Sequence, residues 1–164
     1  SRRNMKYLNT YNESIKDFLK PKSNEDILKD IEHMDNSKKY MMGIKHNIVW
    51  LVKDMLDLGI KPHIDDLIIC LMNGSTDVAK MLIEDNIINL SDDEDDQCII
   101  QSVCNNQIEI VKLLLKDNRV NPSTMFNLPI READRYNFTE IVKLLFNDKR
   151  VYSSLSRYDE LHII

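Results

Sequence analysis

The sequence predicts an all-α protein made of helical hairpins stacked in a line. Four segments share one apolar pattern and align a lysine, with spacings of 27, 32 and 31 residues between Lys53, Lys80, Lys112 and Lys143. A period near 30 residues is typical of repeat arrays. Three glycines among 164 residues disfavour turn-rich β architectures. The 43% of hydrophobic residues is enough for a packed core.

Each repeat contains two predicted helices joined by a tight turn. The turn residue is Asn47, Gly74, Asn106 or Asn137, and Asn and Gly accept left-handed backbone most readily. The second helix then carries a broad apolar stripe, as in Ile110 to Leu115. One partner helix cannot cover such a stripe, so the neighbouring repeats must cover it.

The first helix of each repeat carries a small residue four positions before the turn residue. The four small residues are Gly43, Cys70, Ser102 and Ala133. A small side chain that recurs at one helical position predicts that another helix crosses closely there. We expect the array to cover residues 38–151, in units of about 38–64, 65–96, 97–127 and 128–151.

The two ends of the chain depart from this pattern. Residues 1–37 contain two helical patterns, Ser14 to Leu19 and Glu25 to Met34, and Ser23 with Asp26 resembles a capping box. We expect a helical N-terminal cap or a degenerate first repeat there, with a small separate module as the alternative. Residues 152–164 are expected to start a further or truncated repeat, whose first helix would begin at Leu161.

Two segments carry a resemblance to a known family. Pro129 and Ala133 stand where the ankyrin repeat has the Pro of its TPLH motif and its Ala, and Asn137 stands at the Gly of its GHLEIVKLLL helix. Asn106 to Leu115 matches the same helix almost residue for residue. The resemblance implies an ankyrin-type solenoid of about four helix-turn-helix repeats. It also implies a scaffold that binds another protein.

The loops add a narrower resemblance. Asp117 to Ser123 and Asp148 to Val151 resemble loops in the divergent ankyrin arrays of giant viruses that infect amoebae. This likeness implies an intracellular, cytoplasmic protein whose partner is a host protein in the host cytoplasm. The three cysteines, Cys70, Cys98 and Cys104, lack a disulfide framework spacing and agree with an intracellular location.

In an ankyrin array the concave side is formed by finger-loop tips and the exposed ends of the first helices. We therefore predict partner contacts at the two residues before each turn residue and in the fingers. The candidates are Lys45, His46, Met72, Asn73, Cys104, Asn105, Arg135, Tyr136, Asp93, Glu94, Asp96, Met125 and Asn127. Ordinary helix-end surface is the alternative interpretation.

The acidic run from Asp92 to Asp96 has three interpretations. It could be a solvated loop that complements the next helix N-terminus, an electrostatic contact for a basic partner, or a calcium loop. The calcium interpretation is the weakest, because the spacing and glycine of a calcium loop are absent. Farther upstream, Asp65 and Asp66 are expected to cap a helix.

Several function classes find no support in the sequence. The net charge of −5 disfavours a general nucleic-acid binder, and no apolar stretch approaches the length of a membrane helix. No His or Cys spacing predicts a metal site, and no nucleophile has a base beside it. We therefore expect a non-catalytic protein without cofactors or metals.

Two alternative functions remain open. The chain could be the substrate-adaptor part of a larger ubiquitin-ligase-type protein, which requires a further domain. It could also be a self-assembling structural component, in which an uncapped C-terminal face stacks on another copy. The protein is otherwise expected to be a monomer.

Overall fold

The computed structural model describes residues 23–93 and 96–155, and the chain divides into two units, residues 1–34 and 35–164. In the first unit, helix α1 (Asn24–Ile31) begins at the predicted capping box. The backbone N–H of Asp26 donates to Ser23 Oγ at 3.2 Å, and the Ser23 N–H donates to Asp26 Oδ2 at 3.4 Å. The predicted helix from Ser14 to Leu19 lies outside the described residues.

The second unit contains four helix pairs followed by one more helix. The pairs are α2 (Asn36–Lys45) with α3 (Val49–Asp57), α4 (Ile64–Asn73) with α5 (Thr76–Glu84), α6 (Gln97–Cys104) with α7 (Ile108–Lys116), and α8 (Thr124–Arg135) with α9 (Thr139–Phe146). A 3₁₀ turn (Leu90–Asp92) lies between the second and third pairs, and α10 (Lys149–Leu155) follows the fourth. Within the described ranges all regular structure is helical, as predicted.

The turns between paired helices have the predicted left-handed backbone. The φ values are +59° at Asn47, +73° at Gly74, +53° at Asn106 and +58° at Asn137. In every turn the next residue donates its N–H to the carbonyl of the small residue on the first helix, over 2.8–2.9 Å. This bond satisfies a carbonyl that the helix end would otherwise leave unpaired.

The helices of the second unit form two layers. The first helices α2, α4, α6 and α8 pack side by side, and the second helices α3, α5, α7 and α9 do the same. Leu114 and Leu145 are fully buried in this core. A Cβ atom added at Gly43 would lie 2.7 Å from Val52 Cγ2, so the small residue does mark a close helix approach. The predicted ankyrin-type solenoid is confirmed for this unit.

Two local predictions were wrong. The predicted cap at Asp65 and Asp66 is displaced, because His63 is the N-cap of α4 and donates its N–H to Asp66 Oδ2 at 2.8 Å. We interpreted Asp148 to Val151 as part of a loop, but α10 (Lys149–Leu155) forms there instead. Leu161, the predicted start of the next helix, lies outside the described residues. No described helix has the length and apolar character needed to span a bilayer.

Candidate functional site

The predicted contact residues fall into two groups at opposite ends of the first helices. One group lies along the turn edge, which we define as residues 45–48, 72–76, 104–109 and 135–140. The other lies in the finger loops, residues 85–93, 96 and 117–127, which precede the regular part of the first helices; residues 125–127 fall within the bounds of α8 but have non-helical backbone. A helix of ten residues such as α4 is about 15 Å long, so the two groups form separate surfaces.

A groove of about 650 Å³ lies on the turn edge across the second, third and fourth repeats. It brings together three predicted contact residues, Met72, Asn73 and Asn105, with residues that the sequence analysis did not select. Its walls are formed by Met72, Asn73, Gly74, Thr76, Asn105, Asn106, Gln107, Ile108, Glu109 and Glu140. Met72 is 61% exposed and provides an accessible apolar side chain.

Gln107 holds the floor of this groove in place. It follows the left-handed Asn106 and is only 8% exposed. Its Nε2 donates to the carbonyl of Leu71 at 2.8 Å, which joins the third repeat to the end of α4 in the second. Its Oε1 is buried and lacks a hydrogen-bond partner among the described residues. A buried acceptor without a donor is unfavourable.

Charge in the groove comes from Glu109 and Glu140. Lys112 Nζ lies 2.8 Å from Glu109 Oε1 and 3.4 Å from Glu140 Oε1, so one cation bridges α7 and α9. The hydrogen bond from Lys112 holds the pKa of Glu109 below its usual range, and the same bond raises the pKa of Lys112. Glu109 and Lys112 are therefore both charged at neutral pH and form an ion pair.

A cationic and aromatic cluster occupies the fourth turn. The Arg135 guanidinium carbon lies 5.2 Å from the centre of the Tyr136 ring, and that ring stacks on Phe138 at 5.5 Å. Arg135 also pairs with Glu132 at 3.2 Å. Tyr136 is 45% exposed. Arginine and tyrosine are enriched among the residues that dominate binding energy, so this cluster is a plausible anchor.

The remaining predicted contact residues on the turn edge have fewer features of a binding site. Lys45 and His46 are exposed at the first turn but do not line the groove. Cys104 is half-buried, and burial together with the nearby Glu132 raises the pKa of its thiol. Burial raises the pKa of Cys70 to about 12 and raises that of Cys98 as well. A thiol with a raised pKa stays protonated at neutral pH and is a poor nucleophile.

The acidic finger is used partly for local structure. Asp93 Oδ1 and Oδ2 accept the N–H groups of Gln97 and Cys98 at 2.9 and 2.8 Å, which supports the first turn of α6. Asp96 Oδ1 accepts the N–H of Asn121 at 2.9 Å from the next finger. Glu94 lies outside the described residues. The proposed contact with a basic partner stays a prediction.

The second finger holds three consecutive residues in left-handed backbone. Their φ values are +48° at Met125, +59° at Phe126 and +61° at Asn127. Asn127 is 1% exposed and donates its Nδ2 to Ser154 Oγ at 2.9 Å, so its prediction as a surface contact was wrong. Met125 is 48% exposed, and Phe126, which the sequence analysis did not select, is 75% exposed.

Some of the groove residues had a signal in the sequence. The third residue after each turn residue is acidic in three repeats, at Asp77, Glu109 and Glu140. Asp77 Oδ2 accepts the Asn47 side-chain amide at 2.8 Å, whereas Glu109 and Glu140 line the groove. Within the described residues no group of three His, Cys, Asp or Glu side chains could hold a metal ion.

Comparison with known proteins supports the assignment of the repeats. The family model described as ankyrin repeats (3 copies) matches residues 40–126 and 67–157. These matches together span well over half of the chain and coincide with the four helix pairs. No curated protein and no solved structure matches the chain. The chain belongs to the ankyrin-repeat family.

Proposed function

We propose that the chain is a non-catalytic scaffold that binds a partner protein through the concave face and finger loops of its ankyrin array. Ankyrin repeats generally mediate protein–protein interactions. The observation that carries the proposal is the turn edge. It holds a groove with the exposed Met72 and, in the fourth repeat, the Arg135–Tyr136 cluster. These side chains stand on a stacked helical core, and such a rigid support limits the entropy lost on binding.

The class of partner protein and its cellular location are part of the same proposal. The loop resemblance to giant-virus arrays would make the partner a host protein in the host cytoplasm. In the adaptor alternative, the same surfaces would select a substrate for a larger ubiquitin-ligase-type assembly. In the self-assembly alternative, the partner is a second copy, and light scattering on a sizing column would show a mass that rises with concentration.

The test uses a double variant at the fourth turn, Arg135→Ala with Tyr136→Ala. Both side chains are exposed, so we expect a melting temperature close to that of the wild type. Partner binding, measured by calorimetry after the partner is captured from the native cell and purified, should weaken at least about tenfold, as for interface anchors. The matched control is Lys53→Ala with Asp54→Ala, two exposed residues on α3. Equal affinity for both variants would contradict this part of the binding surface.

A further inference from the structure

The polar side chains of the groove on the turn edge offer mainly hydrogen-bond acceptors. Asn73 Nδ2 donates to the Ile69 carbonyl at 2.8 Å, and Asn105 Nδ2 donates to the Gln101 carbonyl at 2.9 Å. One N–H of each amide is thus used within its own helix, which leaves one N–H beside the two lone pairs of each Oδ1 atom. Gln107 repeats the pattern, since its Nε2 is bonded and its buried Oε1 has no partner in the described part of the chain.

The charged residues of the groove also favour a ligand that donates hydrogen bonds. None of the ten residues that line it is basic, whereas Glu109 and Glu140 are acidic. Lys112 contacts both carboxylates and neutralises one charge of the two. Each turn joins the C-terminal end of one helix to the N-terminal end of the next, so the two helix dipoles oppose each other there. The side chains therefore set the sign of the local potential, which is negative.

We propose that this groove receives an arginine side chain of the partner protein. The inference rests on the proposed function and names the chemistry that one of its surfaces recognises. A guanidinium carries five N–H donors and no acceptor, which matches a wall of carbonyl and carboxylate oxygens. An apolar residue beside that arginine in the partner packs on Met72, the exposed apolar side chain of the groove.

The groove is held in shape before any ligand arrives. The Gln107–Leu71 hydrogen bond joins the second repeat to the third, and the Lys112 bridge joins the third to the fourth. A site that is already formed loses little conformational freedom when it binds. Gln107 Oε1 is itself buried, so the guanidinium contacts the exposed carboxylates of Glu109 and Glu140 and the Oδ1 atoms of Asn73 and Asn105.

The test is a titration of the full chain followed by ¹H–¹⁵N NMR. The probe is an acetylated, amidated tripeptide with one arginine between two leucines. The control peptide carries citrulline, which has nearly the shape of arginine without its charge. We expect shift changes at Gly74, Thr76, Asn106 and Ile108 and at the Gln107 side-chain amide. The citrulline peptide should bind about three- to tenfold more weakly, and 0.5 M salt should weaken the arginine peptide similarly.

A pair of protein variants locates the charge effect. Glu109→Gln with Glu140→Gln should lower the affinity for the arginine peptide about three- to tenfold. Glu84→Gln, an exposed carboxylate on α5 that pairs with Lys80 at 3.9 Å, should leave it unchanged. Both proteins should keep the amide shift dispersion of the folded wild type, because the altered carboxylates are exposed.

Three results of the peptide titrations would overturn this inference, and one result with the captured partner would overturn it as well. The first three are the absence of shift changes up to the solubility limit of the peptide, shift changes centred away from the groove, and equal binding of the citrulline peptide. The proposed binding surface fails on a different result, namely equal affinity of the captured partner for the Arg135→Ala, Tyr136→Ala protein and for the Lys53→Ala, Asp54→Ala control. If the captured partner binds the Glu109→Gln, Glu140→Gln protein normally but loses affinity for the Arg135→Ala, Tyr136→Ala protein, the scaffold function holds and the arginine site does not.

Discussion

The segments that follow α7 and α9 begin alike and then fold differently. Both start with Asp-x-Arg-Val, at Asp117 to Val120 and at Asp148 to Val151. In each, the arginine backbone N–H donates to the aspartate Oδ1 at 2.9 Å, and the valine is buried. The motif therefore makes the same Asp–Arg contact in both places.

The two segments differ from the second residue of the motif onward, because α10 begins at Lys149 whereas residues 118–120 form a turn. Pro122 follows Val120, and the chain continues as a finger loop, whereas Ser153 stands at the matching position inside α10. Proline disfavours helical backbone at the residue before it and lacks the N–H that a helix interior requires. The comparison indicates that the shared motif fixes the Asp–Arg contact, and that the residues after it decide whether the segment continues as a finger or as a helix.

The two arginines also differ in what they join. Arg150 donates to the carbonyls of Leu115, Asp117 and Val120 at 2.7, 3.2 and 2.8 Å. Arg119 donates to Asn89 Oδ1 in the preceding repeat at 3.2 Å. Arg150 thus ties its own segment to the end of α7 and the loop that follows it.

The largest expected effect concerns the buried core leucine that precedes each of the two segments. Leu114 and Leu145 lie at matching positions in the core, three residues before each aspartate, and both are fully buried. Replacing either with alanine should lower the free energy of unfolding by about 2–5 kcal/mol, because it removes buried methyl groups and leaves a cavity. Urea denaturation measures the loss. Leu58→Ala is the control, since Leu58 is 64% exposed and should change little. A loss under about 1 kcal/mol at either core site would show that the two regions do not share one core.

The second-largest expected effect is a difference in stability loss between variants of Arg150 and Arg119. Arg150→Met keeps most of the aliphatic stem but removes hydrogen bonds to three carbonyls, so it should lower the free energy of unfolding by about 1.5–3 kcal/mol. Arg119→Met removes a more exposed group, whose ion pair with Asp117 should contribute less than about 1 kcal/mol. Paired denaturation curves compare the two. Equal losses would mean that the carbonyl contacts of Arg150 do not strengthen the link between repeats.

The repeats were predictable because their signals are local. The spacing of the lysines, the Asn or Gly at each turn and the small residue before it are all readable in one dimension, and each marks a helix end or a close approach. The groove was harder to predict, since it combines residues of three repeats that only stacking brings together. Asn127 shows the same limit, because its burial depends on Ser154, 27 residues later in the chain.

The smallest effect tests the choice between finger and helix directly. Ser153→Pro places proline where Pro122 stands in the preceding loop, removes a helical N–H and should melt α10 beyond Val151. Global stability should fall by only about 1 kcal/mol, mainly because Asn127 loses its Ser154 partner, while the Asp148–Arg150 contact persists. Amide hydrogen exchange would show faster exchange confined to residues 152–155, and Ser153→Ala, which keeps the N–H, should show none. Protection that survives in the proline variant would mean that packing against α9, and not the residue after the motif, decides that this segment is helical.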